Sequence, residues 1–489
     1  MDAILSYNAD GQPIEPTWPT ADIIIGNPPF LGGNRIRQEL GHEYVTALFE
    51  LYKNRLPAFS DLVCYWFERA RQEMVTGQVK RAGLLATNSI RGGVNRAVLE
   101  RIKQMGDIFM AWSDRPWLLE GATVRISVVG FDKGVETRRV LDGTPVTFIN
   151  ADLSNGKIDL TVAKILPENV NLCFYGSQQK GLFSITTAQA QKLFAQQTAD
   201  EPDYHEVIKR ALNGQQLLHR EEAWVIDFGT DMPEETAQKY RAPYEYVKQV
   251  VYPERATRRE TRQKSHWWLH ARPSPRYRRV LATQERYIAS IATAKYRLFV
   301  WLNNNILADH SLIVYARDDD YFWGVLSSKL HDMWALRLGT SLGATPRYTP
   351  STTFETFPFP WSPGHEPTAD PHYQAIAQAA HALDQFRQKW LNPDGVGITI
   401  SEKQLQKRTL TNLYNALEDY RQSKAALFLK WGDGFITLTE MEELHDLHTE
   451  LDQAVLAAYG WPTNLNEEQI LARLLALNEI ASQRSALTS

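Results

Sequence analysis

Four consecutive residues, Asn27-Pro28-Pro29-Phe30, combine an amide, two rings that fix the backbone, and an aromatic face. That set suits one chemistry, alkylation of an aromatic amine. The nitrogen of such an amine is a poor nucleophile because its lone pair is delocalised into the ring. Two acceptors placed against its N–H groups draw it toward a tetrahedral, nucleophilic state. The side-chain oxygen of Asn27 and the carbonyl of Pro28 can form that pair. The prolines hold the carbonyl in place, and Phe30 offers a surface on which an extruded base stacks. No metal and no covalent intermediate are needed. The plainer reading, a rigid Pro-Pro turn leaving a strand, asks nothing of Asn27 or Phe30.

The motif follows directly on Ala21-Asp22-Ile23-Ile24-Ile25-Gly26, a run apolar on both faces, as central strands of parallel sheets are. Residues 1–20, with Pro13, Pro16 and Pro19, read as an irregular lead-in. Helices are predicted over 43–56 and 61–76, a strand over Ala82–Thr87, and a helix over about 95–104 after a Gly92-Gly93 loop. Two further strands, Asp107–Trp112 and Val124–Phe131, close the region. This order is the second half of a doubly wound, Rossmann-like α/β sheet. From about 150 the texture becomes mixed α+β with frequent Gly, Asn and Pro. From 369 long helical stretches take over, at Tyr373–Trp390, Ser401–Lys430, Glu440–Tyr459 and Asn466–Leu487. The expected domains are therefore 1–150, 151–365 and 366–489.

At 489 residues the chain is too long for one core, and its 43% hydrophobic and 22% charged residues exclude wholesale disorder. Two cysteines, Cys64 and Cys173, cannot build a disulfide framework or a multi-cysteine zinc site, which fits a reducing cytoplasm. No apolar run approaches the ~20 residues of a membrane helix, and no secretory signal is visible. The net charge is −4, yet Lys248–Arg279 carries ten Lys/Arg against Glu254 and Glu260. Such a stripe, interleaved with aromatics and prolines, is the footprint of a phosphate-binding surface; its bland alternative is a solvated loop.

Gly26-Asn27-Pro28-Pro29-Phe30 resembles the catalytic motif of the amino-group DNA methyltransferases, which modify adenine N6 or cytosine N4 with S-adenosylmethionine. The resemblance extends further. Asn27-Pro28-Pro29-Phe30-Leu31-Gly32-Gly33, Ala86-Thr87-Asn88-Ser89-Ile90-Arg91-Gly92-Gly93 and Ala111-Trp112-Ser113-Asp114 look like successive blocks of the large bacterial type IIG/IIL restriction–modification enzymes. The stretch from Arg347 to Pro360 resembles the end of their target-recognition region, which would here span 168–361. Lys407–Asn415 and Tyr459-Gly460-Trp461-Pro462 resemble their C-terminal helical segment. The resemblance implies a site-specific methyltransferase acting on double-stranded DNA in a defence or modification system. Asn before Pro-Pro usually accompanies adenine N6 as the target. Asp61 and Tyr65 line up with a family block that borders the cofactor, although Asp61 is equally well explained as a helix cap. Asn88 and Ser89 would face the same crevice, touching base or backbone.

In the recognition region Arg255, Arg258, Arg259, Arg262, Lys264, Arg272, Arg276, Arg278, Arg279 and Arg347 are candidates for DNA contacts. Trp267 and Trp268 either stack near a flipped base or pack a local core. His266 and His270 stand four apart but lack a third metal ligand, so no metal site is expected. The cytosine C5 class needs a thiolate nucleophile, and both cysteines sit in apolar surroundings that suit core filling. The family's Gly-rich cofactor loop, Phe-x-Gly-x-Gly, is expected upstream of the motif and is not found in the 26 residues before Asn27. Trp431-Gly432-Asp433-Gly434-Phe435 and Gly339–Gly343 are not credible copies of it. The implied alternatives are a second polypeptide that supplies the cofactor half, or a truncated frame. A nuclease domain is not expected. The competing readings are an inactive DNA-recognition subunit and a methylase of protein glutamine amides.

Overall fold

The computed structural model describes residues 3–33, 35–119, 122–155, 158–219, 223–257, 261–342, 345–394, 401–431 and 435–488. The chain divides into two compact units, Met1–Ala163 with Arg337–Thr345, and Lys164–Leu336 with Pro346–Ser489.

The first unit is built on the α/β sheet that the alternation of apolar runs predicts. The lead-in is more ordered than its prolines suggest. β1 (Ser6–Tyr7) pairs antiparallel with β2 (Pro13–Ile14), and the Asn8 side chain accepts from the backbone of Asp10 and Gln12 to close the turn between them. β3 (Ile23–Gly26) then lies parallel to β4 (Arg81–Thr87), with Gly26 opposite Leu84. β5 (Asp107–Leu119) and β6 (Ala122–Asp132) form a hairpin whose second strand inserts antiparallel between β4 and β5. β7 (Arg139–Leu141) and β8 (Thr144–Val146) complete a six-stranded sheet of order β3-β4-β6-β5-β7-β8. The helices are α1 (Ile36–Leu40), α2 (His42–Tyr52), α3 (Leu62–Val75) and α4 (Ala97–Met105).

β4 buries every second residue, Ala82, Leu84 and Ala86, as a strand with one covered face does. α3 packs there through an apolar face that includes Phe67, which stacks on Phe131 of β6 at 6.0 Å between ring centres. β3 departs from the expectation of a central strand covered on both faces. It is the edge of the described sheet, and Ile23 and Ile25 are 55% and 83% exposed. Its alternation leaves these two on the uncovered face, while Ile24 packs against the core.

The second unit holds both the mixed region and the long helices. One four-stranded sheet has the strand order Ser184–Ile185, Trp224–Ile226, Ile208–Leu212, Ile306–Ala308, and another the order Phe299–Asn303, Arg286–Ile291, Leu312–Tyr315, Cys173–Tyr175. In chain order these elements are β9 (Cys173–Tyr175), β10 (Ser184–Ile185), α5 (Thr187–Phe194), β11 (Ile208–Leu212), α6 (Gly214–His219) and β12 (Trp224–Ile226). Five short helices follow, α7 (Glu234–Ala237), α8 (Arg241–Val250), α9 (Tyr252–Ala256), α10 (Thr261–Ser265) and α11 (Pro275–Leu281). Then come β13 (Arg286–Ile291), β14 (Phe299–Asn303), β15 (Ile306–Ala308), β16 (Leu312–Tyr315), α12 (Asp320–Ser327) and α13 (Lys329–Leu338).

The stretch that ends the mixed region is a buried aromatic strap rather than a surface. After a π-helical turn at Pro350–Phe354, Phe354, Phe357 and Phe359 pack on one another and on Phe322 and His331. The Asn169 amide donates to the carbonyls of Phe354 and Phe357 at 3.2 and 2.7 Å, which satisfies backbone that the strap buries.

The helical part comprises α14 (Pro371–Leu391), α15 (Glu402–Lys407), α16 (Leu410–Gln422), α17 (Lys424–Trp431), α18 (Leu438–Ala458) and α19 (Glu467–Thr488). The single helix expected over 401–430 is thus three. It breaks where Thr409 turns its hydroxyl onto the Asn412 N–H and caps α16, and again at the extended Ser423. Among the described residues no helix is long and apolar enough to cross a membrane.

Candidate functional site

Asn27 stands exposed at the carboxyl end of β3, where ligands gather in open α/β sheets. Its side chain makes no hydrogen bond among the described residues. Pro28 is buried, and Phe30 is half-buried. The segment is held at both ends. At its start Gly26 belongs to the β3–β4 ladder. At its far end the Leu31 carbonyl accepts from Leu62 N at 2.9 Å, and Gly33 N donates to the Asp61 carboxylate at 2.8 Å. Between these anchors the amide of Asn27 is left free for a ligand.

Asp61 occupies the residue before α3, but its side chain does not cap that helix. One carboxylate oxygen accepts from Gly33 N, the other from Ser89 Oγ at 2.7 Å. The Asp61 N–H donates to the buried Asn95 amide oxygen at 2.7 Å. Of the two explanations offered by sequence, the helix cap gives way to this bridge. Tyr65 is corrected too. It is 1% exposed, its ring packs edge-on against Tyr52 at 5.1 Å, and burial pushes its phenol pKa far up. It is a core residue with no face toward a ligand.

Asn88 and Ser89 lie just past β4, beside the motif. Asn88 donates to Asp114 at 3.2 Å, and Arg125 holds the same carboxylate oxygen at 2.5 Å. Asp114 enters the sequence reading only as the last residue of the block Ala111–Asp114, with no role of its own. Its signal was a Ser-Asp pair inside an apolar strand. β5 carries one extra residue between Trp112 and Arg115, a bulge that places Ser113 and Asp114 level with the end of β4, since Ile126 lies opposite both Thr87 and Arg115. Asp142, in the turn between β7 and β8, fixes the bulge by accepting from Ser113 N and Oγ at 2.9 and 2.6 Å. The three blocks 27–33, 86–93 and 111–114 therefore meet beyond the carboxyl ends of β3 and β4, joined through Asp61 and Asp114.

In the second unit the basic stripe splits into inward and outward members. Arg255 is fully buried. It donates to the carbonyls of Trp267, Leu269, Gln179 and Lys180 and lies 4.8 Å from the Phe183 ring, so its expected phosphate contact gives way to bracing the fold. Arg278 turns in as well, onto the buried Asp227 at 2.5 and 3.1 Å. Burial alone would raise the Asp227 pKa, but His270, Arg278 and Lys209 hold it well below the usual carboxylate range.

Trp267 and Trp268 are both buried. Trp267 packs on Tyr244 and Tyr252, and Trp268 donates to Met232 O at 2.8 Å, so the local-core reading holds and the stacking one does not. His270 is buried beside Asp227 and Phe183, whereas His266 is exposed and pairs with Ser265. Arg262 and Lys264 on α10, Arg272, Arg276 and Arg279 on and before α11, and Arg347 are exposed. Arg276 and Arg279, three residues apart, share a helix face that excludes Arg278. Arg258 and Arg259, like Gly432–Gly434, lie outside the described residues. Both cysteines are buried, and desolvation pushes their thiols up, away from nucleophilic thiolate.

Residues 8–142 match the family model described as the DNA-methyltransferase domain of MmeI, and residues 168–361 match that of the MmeI target recognition domain. No curated protein matches. The solved structure of the type IIL restriction–modification enzyme MmeI in complex with DNA is similar in fold, at 18% identity and a TM-score of 0.69, over 94% of this chain and 57% of that one. The type IIG restriction endonuclease BpuSI (11% identity, TM-score 0.24, 90% and 54% covered) and the DrdV–DNA complex (13%, 0.32, 93% and 57%) are too distant in structure to bear on the fold. This chain spans about 57% of the length of the MmeI structure.

Proposed function

We propose, for a chain that carries the DNA-methyltransferase and target-recognition domains of the MmeI family, site-specific methylation of adenine N6 in double-stranded DNA, with S-adenosylmethionine as donor. The observation that carries this reading is the pinned loop. Asn27 presents an unengaged amide at the end of β3, on a segment fixed at Gly26 and again at Gly33. A flipped adenine entering there would meet the Asn27 side-chain oxygen and the Pro28 carbonyl as paired acceptors for its two N6 hydrogens, with Phe30 beside its ring. Preorganised acceptors of this kind need no rearrangement as charge develops on the nitrogen.

The cofactor supplies the methyl group. Of the two residues the resemblance implies for it, Tyr65 is core, while Asp61 stands half-buried with one hydrogen-bond donor on each carboxylate oxygen. What this chain's own residues supply is the base-side half of the chemistry. A further strand paired along the open edge of β3, where Ile23 and Ile25 stand exposed, and carrying the Gly-rich loop in this chain's own continuation or in a partner, is part of the proposal. On the DNA side, Arg262, Lys264, Arg272, Arg276, Arg279 and Arg347 supply the phosphate and base contacts.

The test is calorimetry of S-adenosylmethionine with this chain, alone and with a candidate partner, followed by methyl transfer to DNA. Binding only in the presence of the partner, and transfer abolished by Asn27→Ala with DNA affinity retained, are the expected results. Micromolar cofactor binding by the chain alone removes the partner from the proposal. Transfer undiminished in Asn27→Ala overturns the function.

A further inference from the structure

We infer that Asp61 is a positioning residue for the reaction: its carboxylate clamps the loop that carries Asn27-Pro28-Pro29-Phe30 to the turn that carries Asn88 and Ser89. The inference rests on the proposed function and deepens it.

Each carboxylate oxygen holds a different loop. One oxygen accepts from Gly33 N at 2.8 Å and the other from Ser89 Oγ at 2.7 Å. Ser89 Oγ is in turn 2.6 Å from Thr87 Oγ1, the last residue of β4, and 3.3 Å from the Asn95 amide nitrogen. Asp61 is itself oriented from behind, since its N–H donates to the other end of the Asn95 amide at 2.7 Å. Asn95 is 7% exposed, so the support sits in the core and the clamp reaches outward from it. The bridge thus runs from the core of α4's approach, through Asp61, to two loops that sequence places 28 residues to either side of it.

Each loop needs that support for a different reason. The motif loop leaves β3, an edge strand with one neighbour, so the β3–β4 ladder holds only its first residue. Besides the packing of Pro28 and Leu31, three contacts tie it to the turn before α3: Leu31 O on Leu62 N, Gly33 N on Asp61, and the close approach of Gly33 to the Phe59 carbonyl. Two of these three lie at Gly33. The Ser89 turn is exposed, and Asn88 beside it reaches Asp114 across a hydrogen bond of 3.2 Å. One carboxylate therefore sets the separation between the acceptor pair of Asn27 and Pro28 and the polar edge of Asn88. An error of ~1 Å in such a separation costs about 10²-fold in rate. A carboxylate suits the task because it offers two acceptors in a fixed plane and both of its partners donate. An asparagine can also span the gap, accepting from Gly33 and donating to Ser89 Oγ, whose hydroxyl then turns to Thr87. Alanine can do neither.

The experiment compares Asp61→Ala and Asp61→Asn in the full protein, with three readouts: hydrogen exchange of the peptide containing Gly33, single-turnover methyl transfer, and S-adenosylmethionine affinity. Asp61→Ala is expected to speed Gly33 exchange about tenfold or more and to slow transfer by about 10²-fold, at unchanged cofactor affinity. Asp61→Asn is expected to restore most of both. A loss of cofactor affinity that parallels the loss of rate would make Asp61 a cofactor ligand and overturn the inference. So would unchanged Gly33 exchange, or an unchanged rate, in Asp61→Ala. If the wild-type protein and its partner transfer no methyl group, the proposed function fails, and Gly33 exchange alone still decides whether Asp61 holds the loop.

Discussion

A Cβ on Gly33 would stand 1.7 Å from the carbonyl oxygen of Phe59. No side chain fits that gap, and Phe59 has little room to yield because it already holds a left-handed backbone, with φ 65°. The close approach is what brings Gly33 N onto Asp61 and so fixes the far end of the motif loop. Gly33→Ala must push the loop off the turn before α3. The expected cost is about 1–3 kcal/mol of stability, with a fall in methyl transfer of about 10²-fold. Gly92→Ala is the control, since its Cβ would only touch a Thr340 methyl at 3.4 Å. Urea unfolding and single-turnover rates for the two variants decide the matter; equal behaviour would sink the packing argument.

The two-pronged contact of Arg278 with Asp227 makes a different kind of prediction. Asp227 is buried and ionised, so truncating its hydrogen-bonded partner leaves the charge with only the more distant Lys209 and His270 beside it. Arg278→Ala should therefore cost about 3–5 kcal/mol. Arg279→Ala, one residue on but facing solvent, should leave stability unchanged and reduce the slope of log K against log salt for DNA by about 1. Denaturation and DNA titrations at several salt concentrations separate them. A stable Arg278→Ala protein with weakened DNA binding would return Arg278 to the interface.

Arg255 gives a third. Four carbonyls converge on one guanidinium, and no ammonium can reach all four from a single point. Arg255→Lys is expected to destabilise the second unit by about 1–3 kcal/mol through the acceptors it leaves unpaired. Its DNA affinity, measured below the unfolding transition, should stay at the wild-type level. A selective loss of affinity in a stable variant would contradict the bracing role.

How much of this was legible in the sequence follows from the range of each signal. The place of Asn27 at a strand's end was readable because the motif and the apolar run before it are contiguous, and such ends in α/β sheets are where ligands gather. The separate blocks at 86–93 and 111–114 were readable only as resemblance, since what joins them is Asp61, Asp114 and a one-residue bulge, all set by tertiary packing. The cap reading of Asp61 arises because the residue before a helix is usually a cap, and it fails because local grammar carries no trace of Gly33 or Ser89. The basic stripe was counted correctly but could not be phased. α9, α10 and α11 are five to seven residues each, too short for periodicity to tell Arg276 and Arg279 from Arg278. Buried Arg255 defeats charge counting altogether, because an arginine that satisfies carbonyls looks in sequence like one that binds phosphate.

The helical part carries a prediction about pH. Asp452 accepts from Lys329 N at 2.7 Å, at the start of α13, and burial pushes its carboxyl up to about 6, against the weaker opposing pull of that hydrogen bond and of Arg421. A carboxyl whose folded pKa lies above its unfolded value binds its proton more tightly in the folded state. Stability is then highest below the unfolded pKa, near 4, and declines as pH rises through about 6, where the buried charge appears. Asp452→Asn keeps an acceptor for Lys329 N–H and removes that charge. It should match wild type at pH 4 and exceed it at pH 8 by on the order of 2–3 kcal/mol. Urea midpoints at the two pH values test this directly. A variant less stable than wild type at pH 8 would mean that the ionised carboxylate, not the neutral acid, is what the start of α13 requires.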